Sequence, residues 1–146
     1  MAVLVDTNVL LRRTQPDHPS HGVAVESVAR LLSSGEAVYF TLQNIAEFWN
    51  VITRPIENNG LGFSVDIALR EVETIERFLA LLPDSPAVYD EWKRLVVQHR
   101  VLASKVHDTK LVAMMHVHSV QQILTFNTSD FARYDVEAIQ PAALLA

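Results

Sequence analysis

The sequence predicts an α/β protein with a parallel sheet covered on both faces. Two observations carry that reading. Short apolar runs rich in β-branched and aromatic residues alternate with longer segments of helical periodicity. Such alternation calls for parallel strands joined by crossover helices. Hydrophobic residues also fill 49% of the 146 positions, which argues against disorder and supports one substantial core in a single domain, residues 1–146.

The elements follow in order. "MAVLV" reads as a short buried strand, and "VLLRR" opens a helix just after Asp6 and Thr7. Ser20 to Ser34 is helical, with Val23, Val28, Leu31 and Leu32 apolar and Gly35 placed to stop it. "AVYFT", Ala37 to Thr41, is the second strand. "LQNIAEFWNVIT" is a helix ended by Pro55, and "IENNGLGF" is a loop. Ser64 to Leu81 is a long helix with Ser64 as N-cap and Ile67, Val72, Ile75 and Leu79 toward the core; "FLALLP" ends in a short strand. Ala87 to His99 and Lys105 to His118 are helices, the second capped by Ser104. "QQILTF" is a strand, "TSDFARY" a helical turn and "VEAIQP" a final edge strand.

Composition narrows the function. The chain has no cysteine, which removes disulfides, thiolate metal sites and cysteine nucleophiles and suits a cytoplasmic address. No run resembles a signal peptide or approaches a membrane span, so no membrane partner is expected. The net charge of −5 argues against a surface that coats nucleic acid generally. It leaves nucleic acid open as a substrate: four carboxylates set aside as a site leave thirteen against twelve Lys and Arg.

Four acids stand out by position. Asp6 follows the first strand, at the end where open α/β sheets keep their chemistry, although it could equally cap the next helix. Glu47 lies early in the helix after the second strand and shares a face with Asn44 and Asn50, which reads either as a solvated stripe or as part of a site. Asp108 is in helical phase with Leu111, Val112 and Met115, and a carboxylate on an apolar stripe needs a cap, a cation or a metal. Asp130 follows the strand ending near Thr125 and could be an ordinary turn residue. Taken together, they bring carboxylates toward one sheet edge. Such a cluster requires cations or raised pKa values, and hard oxygen donors favour Mg²⁺ or Mn²⁺ over zinc. His116 and His118 are two residues apart on a helix and make a poor chelating pair.

In this order and spacing, "VDTNVLL", "AEFWNVITRP", "HDTKLVA" and "LTFNTSDF" resemble the four motifs of a PIN domain, over about Val3 to Phe131. The resemblance implies a three-layer α/β/α sandwich with a mainly parallel sheet. It also implies Mg²⁺- or Mn²⁺-dependent ribonuclease activity, as in VapC-type toxins of toxin–antitoxin pairs. Carried over, Asp6, Glu47, Asp108 and Asp130 become the acidic, metal-holding cluster. Some relatives carry the fourth acid in the region of Asn127, whereas others have Asn there and the acid three residues later. This sequence has the second arrangement, so that Asn127 or Asp130 fills the fourth place. Thr7, Thr125 and Asn127 would hold carboxylates or phosphate oxygens, and Arg54 and Lys110 are candidate RNA contacts. Expected partners are RNA, a small antitoxin and a second copy in a homodimer. Two other readings stand beside it: a PIN-like module that binds RNA or protein without cutting, and an aspartyl-phosphate protein of haloacid-dehalogenase or receiver type. The phosphatase motif, however, needs an acid where Asn8 stands.

Overall fold

The computed structural model describes residues 1–146. Five strands, β1 (Ala2–Val5), β2 (Ala37–Thr41), β3 (Ala80–Leu82), β4 (Gln122–Leu124) and β5 (Glu137–Ile139), form one sheet in the order β3-β2-β1-β4-β5. Every pairing is parallel; Val3 pairs with Val38 and Gln122, and Val5 with Leu124. Six helices supply the connections: α1 (Thr7–Arg13), α2 (His21–Ser33), α3 (Leu42–Thr53), α4 (Val65–Phe78), α5 (Pro86–Gln98) and α6 (Val106–Val117).

Side-chain alternation along the strands separates two cores. Val3 and Val5 face the layer built from α1 to α4, where Phe48, Ile52, Ala68, Val72 and Ile75 are buried. Leu4 and Ile123 face the other layer, where α5 and α6 bring Val88, Leu95, Leu111 and Met115 together with Phe131 and Tyr134. The expected three-layer α/β/α architecture with a parallel sheet is therefore present. No helix is long and apolar enough to cross a membrane.

Local chemistry sets most boundaries as the sequence implies. Gly35 takes a left-handed φ of 79° just beyond α2. Thr41 and Asn44 close a capping box at the start of α3, which stops at Arg54 before Pro55. Ser64 Oγ accepts the Ile67 N–H at the start of α4 (3.2 Å).

Three expectations need correction. α4 ends at Phe78 rather than Leu81, because Leu79 turns extended and the next three residues pair with Tyr39, Phe40 and Thr41 of β2. Its core face is Ala68, Val72 and Ile75, whereas Ile67 is 40% exposed. Ser104 does not cap α6: a 3-10 turn over Ala103–Lys105 runs straight into that helix, with no side chain closing its first N–H groups.

With all strands parallel, every carboxyl end lies on one edge. Asp6 leaves β1 there, α3 starts there after β2, and Thr125 leaves β4 there. That edge depends on how α3 sits on the sheet, and Phe48 is the helix's largest fully buried anchor. Phe48→Ala is expected to cost about 3–5 kcal/mol, read as a lower denaturation midpoint; an unchanged midpoint would show that α3 is held some other way.

Candidate active site

Asp6 caps α1 and is also tied to the end of β4. Its Oδ1 accepts the Thr7 N–H at 2.8 Å and caps α1, while its Oδ2 accepts the Thr125 hydroxyl at 2.8 Å. Its own N–H donates to the Leu124 carbonyl (2.9 Å), fixing the end of β1 against β4. Burial is the main force on its titration and raises its pKa to about 6. The two hydrogen bonds oppose that rise, and the charges of Asp108 and Glu47 add to it.

Glu47 is exposed on α3 and is steered by a single hydrogen bond, from the Thr7 hydroxyl to Oε1 (2.9 Å). Asp108 lies in the first turn of α6, partly buried. Its pKa is raised by burial and then by the neighbouring charge of Asp130, with Glu47 adding to the effect; Lys105 and His107 act in the opposite sense. No hydrogen bond stabilises its ionised form. Asp130, in the 3-10 turn after β4, accepts from Lys105 Nζ at 3.1 Å.

The four acids thus stand as electrostatic neighbours at the carboxyl edge: Asp6 feels Asp108 and Glu47, and Asp108 feels Glu47 and Asp130. No three Asp, Glu or His side chains close into a ready-made ligand shell. Mutual repulsion opposes closer approach. The donor set nonetheless suits a hard divalent cation: it is all oxygen, carries excess negative charge, and includes a partly buried carboxylate without a donor.

Thr7, Thr125 and Asn127 all join this network, the last by donating its backbone N–H to Thr125 Oγ1 (3.0 Å). Two other candidates lie elsewhere. Lys110 is held by Asp84 at 2.8 Å, so its ammonium already has an anionic partner. Arg54 ends α3, about two turns beyond Glu47.

Asn44, which the sequence places on the polar face of α3, is 0% exposed and reaches Thr7 across the site. Asn8, where a phosphatase would place its second acid, is tied to Thr125 and to the Phe126 N–H. Both roles were missed; the Thr41-x-x-Asn44 spacing was the one local sign available. His116 hydrogen-bonds Glu91 and His118 the Pro83 carbonyl.

The raised pKa of Asp6 fixes the sign of a stability effect. Below the ordinary carboxylate pKa of 3.8 the group is protonated whether folded or not and contributes nothing. Between 3.8 and about 6 the folded chain holds the proton more tightly, so stability falls as pH rises. Above that window the penalty is complete, on the order of 3 kcal/mol. Without divalent cation, Asp6→Asn is therefore expected to melt progressively higher than wild type as pH rises from 4 to 7. Parallel melting curves would show that Asp6 is not held in a destabilised ionised state.

The same fold occurs in solved structures of low sequence identity. The chain superposes on VapBC2 from Rickettsia felis, determined bound to a promoter DNA fragment, with a TM-score of 0.69 and 12% identity over 96% of this chain and 98% of that one. VapC20 of Mycobacterium tuberculosis, described as a Sarcin-Ricin loop cleaving toxin, matches with a TM-score of 0.64 and 19% identity over 92% and 97%. FitAcB from Neisseria gonorrhoeae gives 0.64 and 19% over 96% and 98%. Comparison with curated proteins finds no match. The PIN domain model covers residues 3–137, nearly the whole chain, and the protein belongs to the PIN-domain family.

Proposed function

We propose that this chain is a Mg²⁺- or Mn²⁺-dependent ribonuclease that cleaves RNA phosphodiester bonds, the toxin of a VapBC-type pair. The observation that carries the reading is Asp108: a partly buried carboxylate, set between other acids, with no hydrogen bond to stabilise its charge. An unpartnered carboxylate in that setting is costly, and a counter-cation removes the cost.

Asp6 and Asp108 would hold the ion directly, with Glu47 and Asp130 completing the set. When bound, such a cation supplies a water of lowered pKa and neutralises charge on the scissile phosphate. The chain's own groups do the rest. The Thr7 N–H and Thr125 hydroxyl favour the ionised form of Asp6, which burial alone would suppress. The Thr7 hydroxyl keeps Glu47 turned toward the site. Lys105, beside Asp130, puts one positive charge at the rim where an RNA phosphate would approach.

A protein partner also has a fitting surface. Between α1, α2 and α4 runs a groove lined by Val25, Leu32, Phe78 and Leu79, and into it Arg13 brings a guanidinium whose Nη2 is buried without a hydrogen-bond partner. An antitoxin segment with apolar side chains would fit the apolar lining of this groove. The reading also includes a homodimer acting in the cytoplasm.

Cleavage of a single-stranded RNA with Mg²⁺ or Mn²⁺, abolished by chelator, tests the proposal. Asp6→Asn and Asp108→Asn should each reduce turnover by more than the roughly 10–100-fold that loss of an outer partner costs a metal site, while remaining folded. Wild-type cleavage by either variant would remove that residue from the site. Binding of RNA without cleavage would instead favour the non-catalytic module.

A further inference from the structure

We propose that Asn8 and Asn44 are positioning residues that fix the direction of the hydroxyl hydrogens on Thr125 and Thr7, so that each hydroxyl can only donate to an acid of the site. The proposal deepens the nuclease reading and rests on it, because the acids concerned are Asp6 and Glu47.

An asparagine amide has one accepting and one donating end, and a threonine hydroxyl has one hydrogen. The Asn44 orientation is set by the backbone: its Oδ1 accepts the Thr41 N–H at 2.9 Å, and an N–H cannot accept in return. The Thr41 hydroxyl donates to the same oxygen. Nδ2 must then face Thr7, donating to Oγ1 at 3.0 Å. Thr7 receives there, and its single hydrogen is left for Glu47 Oε1 at 2.9 Å.

The second chain of bonds has the same logic between α1 and the residues that follow β4. Asn8 Oδ1 accepts the Phe126 N–H at 3.2 Å, so Nδ2 donates to Thr125 Oγ1, also at 3.2 Å. The Asn127 N–H donates into that oxygen as well, at 3.0 Å. With two donors on its lone pairs, the Thr125 hydroxyl sends its hydrogen to Asp6 Oδ2 at 2.8 Å. Backbone N–H, asparagine, threonine and carboxylate thus follow one another twice.

Capping alone does not explain the arrangement. The capping box at α3 uses the Asn44 oxygen, and its nitrogen would be free to face anything. Instead, that nitrogen lies wholly buried against Thr7, 37 residues away. The consequence is greatest for Glu47. It is an exposed, rotatable side chain, and this bond is its one restraint.

Asn44→Asp and Asn8→Asp keep the side-chain shape and replace the donating end with an acceptor, which draws the threonine hydrogen away from the site. Each is expected to weaken Mn²⁺ binding, measured by calorimetry on the full chain, and to lower kcat for RNA by about 10–100-fold with KM unchanged. A further negative charge acting alone would tighten Mn²⁺ binding, so tightening would overturn the proposal. In a Thr7→Val background Asn44→Asp should cost nothing more, and likewise Asn8→Asp in Thr125→Val. Additive losses would mean that the asparagines act through packing, and would also overturn it. A readout independent of cleavage is the proton NMR spectrum. Wild type should show slowly exchanging Thr7 and Thr125 hydroxyl hydrogens, lost in Asn44→Asp and Asn8→Asp respectively. A wild type that neither cuts RNA nor binds Mn²⁺ but keeps these signals would sink the nuclease reading and leave the hydrogen-bond direction standing; absence of the signals in wild type would sink the direction itself.

Discussion

Negative charge held against its own repulsion at the carboxyl edge of a parallel sheet is the constraint that organises this protein. Asp6 is where the constraint is most severe. It ends the central strand, with three fully buried residues before it, and burial lifts its pKa to about 6. Only a rigid surround can keep a carboxylate in such a place. Here the helix cap, the strand end and the site are the same few atoms, since one oxygen of Asp6 serves α1 and the other serves Thr125 after β4.

The four acids are not equivalent, and the differences follow from the elements that carry them. Asp6 is satisfied on the protein side by two donors. Asp130 has an ammonium beside it. Glu47 has one donor and open solvent. Asp108 has burial and like-charged neighbours without a donor. The polypeptide therefore gives three members a donor or an ammonium and leaves Asp108 with only the longer-range charges of Lys105 and His107. Burial keeps the Asp6 pKa raised despite its donors, so the demand for positive charge falls on the stretch of edge that Asp6 and Asp108 share.

How much of this could be read in the sequence depended on whether the signal was local. The span of β2 and of α3 was legible to the residue, because β-branched and aromatic side chains, a capping threonine and a proline mark their ends within a few positions. The junction of α4 and β3 was not. "FLALL" is apolar whether helical or extended, and the pairing with β2 that decides it involves residues about forty positions upstream. Asp108 was conspicuous as a carboxylate in phase with Leu111, Val112 and Met115, all of which are buried. Asn8 and Asn44 were not, since a polar residue in the first turn of a helix looks like a cap, and their threonine partners lie 117 and 37 residues away.

Net charge then limits how such a site can meet a polyanion. A chain at −5 has no general field to draw RNA in, and several basic side chains close to the acids in sequence are engaged with the protein itself: Arg12 with Gln15, Lys105 with Asp130, Lys110 with Asp84, and Arg133 with the His99 carbonyl. If RNA is the substrate as proposed, its affinity would have to arise at contact, from charge neutralised within the acidic cluster and from whatever a partner adds at its rim. Under the proposed nuclease function, selectivity would follow from that restriction. A protein that repels RNA at long range and binds it only where a phosphate can sit against a compensated set of carboxylates would discriminate by the shape of the strand at that point, and not by the total charge of the molecule that carries it.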